Sequence, residues 1–227
     1  MSNFIQSLKK FPRLFWISNI IELFERWGWY AFYNGFIAIY LTSPRETGAL
    51  GFSNVEKGTI MGTASMILYF LPVITGAVAD RVGYKKVLIT SFITYVISFF
   101  MLSRFETFGS IFAAFILLAV AGALFKPLIS GTVARVTDRE TASLGFGIFY
   151  MVINIGGFIG PFVASLLYKN NWDSVFYMSI AAMTLNLLLT IFFYREPAIT
   201  ESGKSFIKNI GIAFRNIGIT LNAIPMF

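Results

Sequence analysis

Glu22-Leu23-Phe24-Glu25-Arg26-Trp27-Gly28-Trp29-Tyr30 sets two carboxylates and a guanidinium inside a run that is otherwise apolar. The run extends from Leu14 to Leu41, longer than the roughly 20 residues a helix needs to cross a bilayer. At about 100° per residue, Glu22, Glu25, Arg26, Trp29 and Tyr33 fall on one helix face. A charge at the bilayer centre costs between roughly 2.5 and 17 kcal/mol, depending on how it is measured. A chain keeps three only where they pair and face a wet cavity. This stretch is the first candidate for function.

The whole composition agrees with a membrane environment. Of 227 residues, 56% are hydrophobic and 13% charged, and the mean hydropathy of +0.72 lies well outside ordinary globular usage. The net charge of +7 needs no nucleic-acid partner, because the basic residues sit in short loops between apolar runs. Cysteine and histidine are both absent, which removes disulfides, thiolate chemistry, Cys/His metal sites and imidazole relays. Lys9, Lys10 and Arg13 lead straight into the charged run, without the small-residue cleavage site of a secretory signal.

Six apolar spans are read: Leu14 to Leu41, Val55 to Ala79, Val87 to Leu102, Phe108 to Val133, Ala142 to Tyr168, and Trp172 to Tyr194. Breakers such as Thr42-Ser43-Pro44, Asp80-Arg81-Val82-Gly83, Lys169-Asn170-Asn171 and Glu196-Pro197 separate them. An even number of spans puts both termini on one side. Twelve basic residues fall on that side, among them Lys9, Arg81, Arg135 and Arg195, against Arg45, Lys57, Arg104 and Lys169 opposite. The positive-inside rule then makes both termini cytoplasmic, in a multi-pass protein of the plasma membrane. Arg26 and Lys126 remain inside the bilayer.

The first and fourth spans each carry intramembrane charge, and each opens a group of three helices. This weak internal repeat predicts an all-α fold of six transmembrane helices, arranged as two three-helix inverted repeats. Gly156, Gly157, Gly160 and Pro161 form a small-residue segment with a kink signal. Two readings stay open: close packing between helices, or a flexing contact against a partner domain. After residue 194 the character changes. Residues 195–227 read as a linker with basic and apolar residues at helical spacing, lying on the cytoplasmic membrane surface. The chain is expected to stop there, short of a second half.

Gly76-Ala77-Val78-Ala79-Asp80-Arg81-Val82-Gly83-Tyr84-Lys85-Lys86 follows the second span. Gly76 allows close helix contact and Gly83 supplies a turn. Asp80 can pair with a base and meet the positive N-terminus of a neighbouring helix, latching this end shut. The stretch resembles the G-x-x-x-D-R-x-G-x-K/R-K/R loop motif of the major facilitator superfamily. That resemblance implies the N-terminal half of a twelve-helix transporter, with Gly76, Asp80, Arg81, Gly83, Lys85 and Lys86 in a gating loop.

The opening stretch narrows the likeness. Glu22-x-x-Glu25-Arg26-Trp27-x-Trp29-Tyr30 is similar to the E-x-x-E-R-F-x-Y-Y-G signature of proton-dependent oligopeptide transporters, after a similar Phe11-Pro12-Arg13 lead-in. Leu124-Phe125-Lys126-Pro127 resembles the family's fourth-helix lysine segment. Phe149-Tyr150-Met151-Val152-Ile153-Asn154-Ile155-Gly156 resembles its fifth-helix F-Y-x-x-I-N-x-G. The resemblance implies proton coupling through Glu22, Glu25, Arg26 and Lys126. It also implies substrate contacts from Trp29, Tyr30, Tyr33, Tyr69 and Asn154. There are two departures: Ala31 stands at the signature's last glycine, and Tyr33 stands where peptide-transporting members carry an arginine for the peptide carboxylate. That loss removes a charge-assisted hydrogen bond of about 1.5–3 kcal/mol.

The expected function is a proton-coupled symporter of small peptides or related solutes, working by alternating access. Protons are the coupling ion and there is no other cofactor. Its partners are the bilayer, the solute and a second six-helix half. A major facilitator exporter of drugs or metabolites, and a non-transporting six-helix module, stay open beside it. No catalytic residue, metal site or nucleotide motif such as G-x-x-x-x-G-K-[ST] is read.

Overall fold

The structure is a computed structural model that describes residues 2–33, 36–168 and 171–197, the side chains of 2–5 excepted. Among the described residues the regular structure is entirely helical. In chain order the α-helices are α1 (Ser2–Lys9), α2 (Arg13–Tyr33), α3 (Ile37–Thr42), α4 (Asn54–Phe70), α5 (Pro72–Val82), α6 (Tyr84–Arg104), α7 (Phe108–Arg135), α8 (Ala142–Leu167) and α9 (Asp173–Phe192). Most of the expected linker, from residue 198 onward, lies outside the described residues, as does Lys169.

Four helices, α6 to α9, are long and apolar enough to cross a membrane, and α4 with α5 makes a fifth if the bent pair is one span. The six-span expectation differs from this in two places. The second span is not one helix: α4 and α5 meet at a 48° bend, because Pro72 opens α5 and has no N–H to continue the ladder of α4. The first span is described as α2, as far as Tyr33, and the short α3 from Ile37 to Thr42, and neither is among the helices long and apolar enough to cross. α2 is 21 residues long, but Glu22, Glu25 and Arg26 set it apart from the apolar helices.

Local chemistry explains several boundaries. Ser53 and Glu56 form a reciprocal capping box at the start of α4. Gly83 joins α5 to α6 at φ +104°, a conformation that glycine adopts without strain. Pro127 and Pro161 are both carried inside continuous helices, α7 and α8.

α2 sits at the centre, packed against α8, α9 and α7. Two glycines of α8 make the closest approach. A methyl group at Gly160 would lie 2.5 Å from the Trp27 carbonyl oxygen, and one at Gly156 would lie 2.8 Å from that of Leu23. Of the two readings of this segment, close helix packing is the one seen inside the bundle. α9 adds polar contacts to the α2 backbone: Asn186 donates to the Ile21 carbonyl at 3.0 Å, and Ser179 to that of Gly28 at 3.1 Å. Towards the other end, Phe32 of α2 meets Phe99, Phe115 and Phe176 with ring centroids 5.2–5.8 Å apart.

Candidate functional site

Helical spacing on α2 brings its three charges together. Arg26 Nε lies 3.1 Å from Glu22 Oε1 and 2.6 Å from Glu25 Oε2. All three residues are buried, so the guanidinium is shared by two carboxylates in a medium where charges interact strongly. Its Cζ also stands 5.6 Å from the Tyr30 ring centroid and 5.9 Å from that of Phe125 on α7, within cation–π range.

A fourth group completes the cluster, and sequence reasoning missed it. Tyr95 of α6 is fully buried and donates its hydroxyl to Glu25 Oε1 at 2.6 Å. Nothing in an apolar helix distinguishes one tyrosine from its neighbours. Only the fold shows that this ring reaches past α7 to α2, through a slot left by Gly122, where an added methyl would lie 3.0 Å from Tyr95 Oη.

The remaining residues expected at the site divide into two groups. Trp29 is buried, stacked on Tyr33 at 4.9 Å and edge-on to Tyr95 at 6.1 Å. Tyr33 shares a hydrogen bond of 2.9 Å with Ser65 of α4. Lys126, Tyr69 and Asn154 are exposed instead. Lys126 makes no ion pair with either glutamate among the described residues; its Nζ stands 5.9 Å from the Tyr69 ring centroid. Asn154 donates to Tyr150 O of its own helix at 2.8 Å. Lys126 and Tyr69 together form an open, accessible surface beside the buried charges.

At the basic end of the bundle, the 76–86 stretch, expected as a loop, is helical on both sides of Gly83 and is tied to α7 and to α9 and its exit. Asp80 pairs with Arg135 at the end of α7 at 2.8 Å and accepts from the Tyr84 hydroxyl at 3.2 Å. The Arg135 guanidinium in turn lies 4.3 Å over the Tyr84 ring. The expected base for Asp80 is therefore Arg135. The positive N-terminus of α6 goes to another acid: Glu196, just after α9, accepts from the backbone N–H of Tyr84, and from that of Lys85 at 3.0 Å. Read from sequence, Glu196 was only part of a helix breaker.

Lys85 returns the contact by donating to the Ile191 carbonyl at 2.8 Å. Tyr194 shares a 2.6 Å hydrogen bond with Thr132 of α7. Arg81 and Lys86 are exposed. A methyl at Gly76 would meet Pro127 only at 3.9 Å, an ordinary contact, so this conformation does not require glycine there. In the loop after α7, Asp138 accepts from the Thr141 hydroxyl and the Thr141 and Glu140 N–H groups, which hold its carboxyl below the ordinary 3.8.

Comparison with known proteins follows the same lines. The family model of the Major Facilitator Superfamily matches residues 16–224. The dipeptide and tripeptide permease A of Proteus mirabilis (strain HI4320) is 30% identical over 183 residues, covering 78% of this chain and 36% of the permease. That of Pectobacterium carotovorum subsp. carotovorum (strain PC1) is 27% identical over 220 residues, covering 95% and 42%. The chain thus spans less than half the length of these curated relatives. Among solved structures, a POT family transporter in complex with 5-aminolevulinic acid superposes with a TM-score of 0.74 at 21% identity, over 95% of this chain and 49% of the other. A POT family transporter in complex with a thioalcohol conjugated peptide gives the same four values. At that identity the likeness speaks for the fold.

Proposed function

The chain belongs to the Major Facilitator Superfamily and, within it, to the oligopeptide-transporter family, and from that premise we propose that it forms the proton-coupling half of an alternating-access symporter for small peptides or related solutes. The observation that carries this reading is the buried cluster of Glu22, Glu25 and Arg26. Two acids and one base in a low-dielectric site change their net charge when a proton binds. That change can be transmitted to the helices packed around α2. Lys126, exposed beside Tyr69, supplies a further positive charge facing the solute path.

The contact pattern supports two inverted repeats. Exchanging α2 with α7, the α4–α5 pair with α8, and α6 with α9 maps the main helix contacts onto themselves: α2·α8 onto α7·α4, and α2·α9 onto α7·α6. A second set of six helices closes the cavity in this reading. The faces that would receive it are on α4 and α8, where Met66, Tyr69 and Phe70, and Tyr150, Phe158 and Phe162, are exposed. The basic end faces the cytoplasm of a plasma-membrane protein. Protons are the only coupling ion required, and no enzymatic step is involved.

The cargo is a small peptide or related solute held without an arginine at position 33. Tyr33, at that position, is committed to Ser65 and Trp29. The test is uptake of labelled di- and tripeptides into proteoliposomes under an imposed pH gradient, with the second six-helix half supplied. Gradient-driven uptake that is lost in the Glu22→Gln/Glu25→Gln double variant is the expected result. Uptake indifferent to that change would sink the coupling proposal.

A further inference from the structure

The two glutamates of the buried cluster are not equivalent. Glu25 is sealed: its side chain is 0% exposed. One of its oxygens accepts from Tyr95 and the other lies against Arg26. Glu22 keeps 5% exposure, and among the described residues its one polar contact is with Arg26. Glu25 thus has a hydrogen-bond donor in Tyr95 besides its ion pair with Arg26, and such a donor favours the charged form of the carboxylate that accepts from it. Glu22 has no such donor among the described residues, and its small exposed fraction is the part of the acid pair that a proton can reach.

We propose that Tyr95 is the positioning residue that makes the two acids unequal, holding Glu25 as the standing counter-charge of Arg26 and leaving Glu22 to exchange protons. The proposal rests on the coupling role assigned to this cluster above. In the exchange a hydronium gives its proton to a Glu22 carboxylate oxygen, forming one O–H bond and leaving water. Arg26 then has Glu25 alone as a charged partner.

The surroundings are favourable for such a division. α8 carries no charged residue, and the only one on α9 is Asp173 in its first turn. α3 brings Tyr40 and no charge. α7 brings Lys126, turned to Tyr69. Tyr30 of α2 faces the guanidinium. Tyr95 is the one neutral donor that reaches a carboxylate of the cluster among the described residues.

The experiment is an infrared pH titration of the purified full chain in lipid nanodiscs, following the carboxylic-acid band. In the parent chain, Glu22→Gln should abolish the titrating band and Glu25→Gln should leave it. Tyr95→Phe should raise the band amplitude about twofold, as a second, coupled carboxyl joins the first, and Glu25→Gln in that background should remove the increment. If Tyr95→Phe does not purify folded, Gly122→Ala replaces it, since its methyl would lie 2.8 Å from Leu68 Cδ1 and 3.0 Å from Tyr95 Oη and so crowd the hydroxyl. A parent band that disappears with Glu25→Gln, no titrating band at all, or a spectrum unchanged by removing or crowding the Tyr95 hydroxyl overturns the proposal. The titration needs no transport. Liposomes that fail to take up peptide while the titration behaves as expected would count against the transport reading alone.

Discussion

Two acid–arginine pairs of similar length occupy opposite environments in this chain. At the centre, Arg26 meets Glu25 at 2.6 Å with 10% and 0% of the side chains exposed. At the basic end, Arg135 meets Asp80 at 2.8 Å with 28% and 43% exposed. The distances hardly differ, but the solvent does. Unit charges 4 Å apart interact by about 1 kcal/mol in water and about 4 kcal/mol near a protein surface of effective dielectric 20. The central pair has been taken out of water and is held by its partners; the outer pair can be made and broken cheaply. A coupling site needs the first property and a latch needs the second.

The strongest way to break that comparison is Arg26→Met. It leaves Glu22 and Glu25 together in a buried site without their base. The expected cost is about 3–5 kcal/mol, the range for removing one partner of a buried pair. It is read as a large fall in the thermal unfolding midpoint in detergent, or as failure to purify folded chain. A midpoint no lower than that of Asp80→Asn would show that the central charges are more hydrated than their burial implies.

A smaller effect is expected from Glu196→Ala. Its carboxylate accepts from two N–H groups at the first turn of α6, so the loss resembles that of a helix cap, about 0.5–2 kcal/mol. Amide hydrogen exchange at Tyr84 and Lys85 should quicken while the core of α6 stays protected. Unchanged exchange there would mean that Gly83 and the α9 exit, rather than this acid, hold the start of α6.

How far the sequence foretold these two regions differs for physical reasons. The central cluster was legible because a 3.6-residue period places Glu22, Glu25 and Arg26 side by side on one helix, with no tertiary information needed. Tyr95 was not, because its partner is on another helix and a tyrosine in an apolar span has no pattern to betray it. Lys126 was legible as an intramembrane charge, but its direction depends on the rotation of α7 about its axis, which sequence does not specify. At the basic end, Asp80 was marked by its motif, whereas Arg135 comes from the end of α7 and Glu196 from the segment after α9. The bend between α4 and α5 carried a usable signal in Leu71-Pro72, hidden within a continuous apolar run. Gly156 and Gly160 marked a close approach, and the structure supplies the surface they approach, the α2 backbone.

The smallest effect should come from Asp80→Asn. Exposed ion pairs contribute about 0–1 kcal/mol, and Asn can still accept from the Tyr84 hydroxyl that now donates to Asp80. What distinguishes this pair from the central one is its response to salt. Counter-ions reach Asp80 and Arg135, and at 1 M ionic strength the Debye length is about 3 Å. The melting difference between parent chain and Asp80→Asn should therefore narrow as salt is raised, while the Arg26→Met deficit persists because ions do not enter the buried cluster. A salt-independent Asp80→Asn deficit would put the outer pair in a drier environment than its exposure suggests, and the contrast between the two regions would then be one of degree.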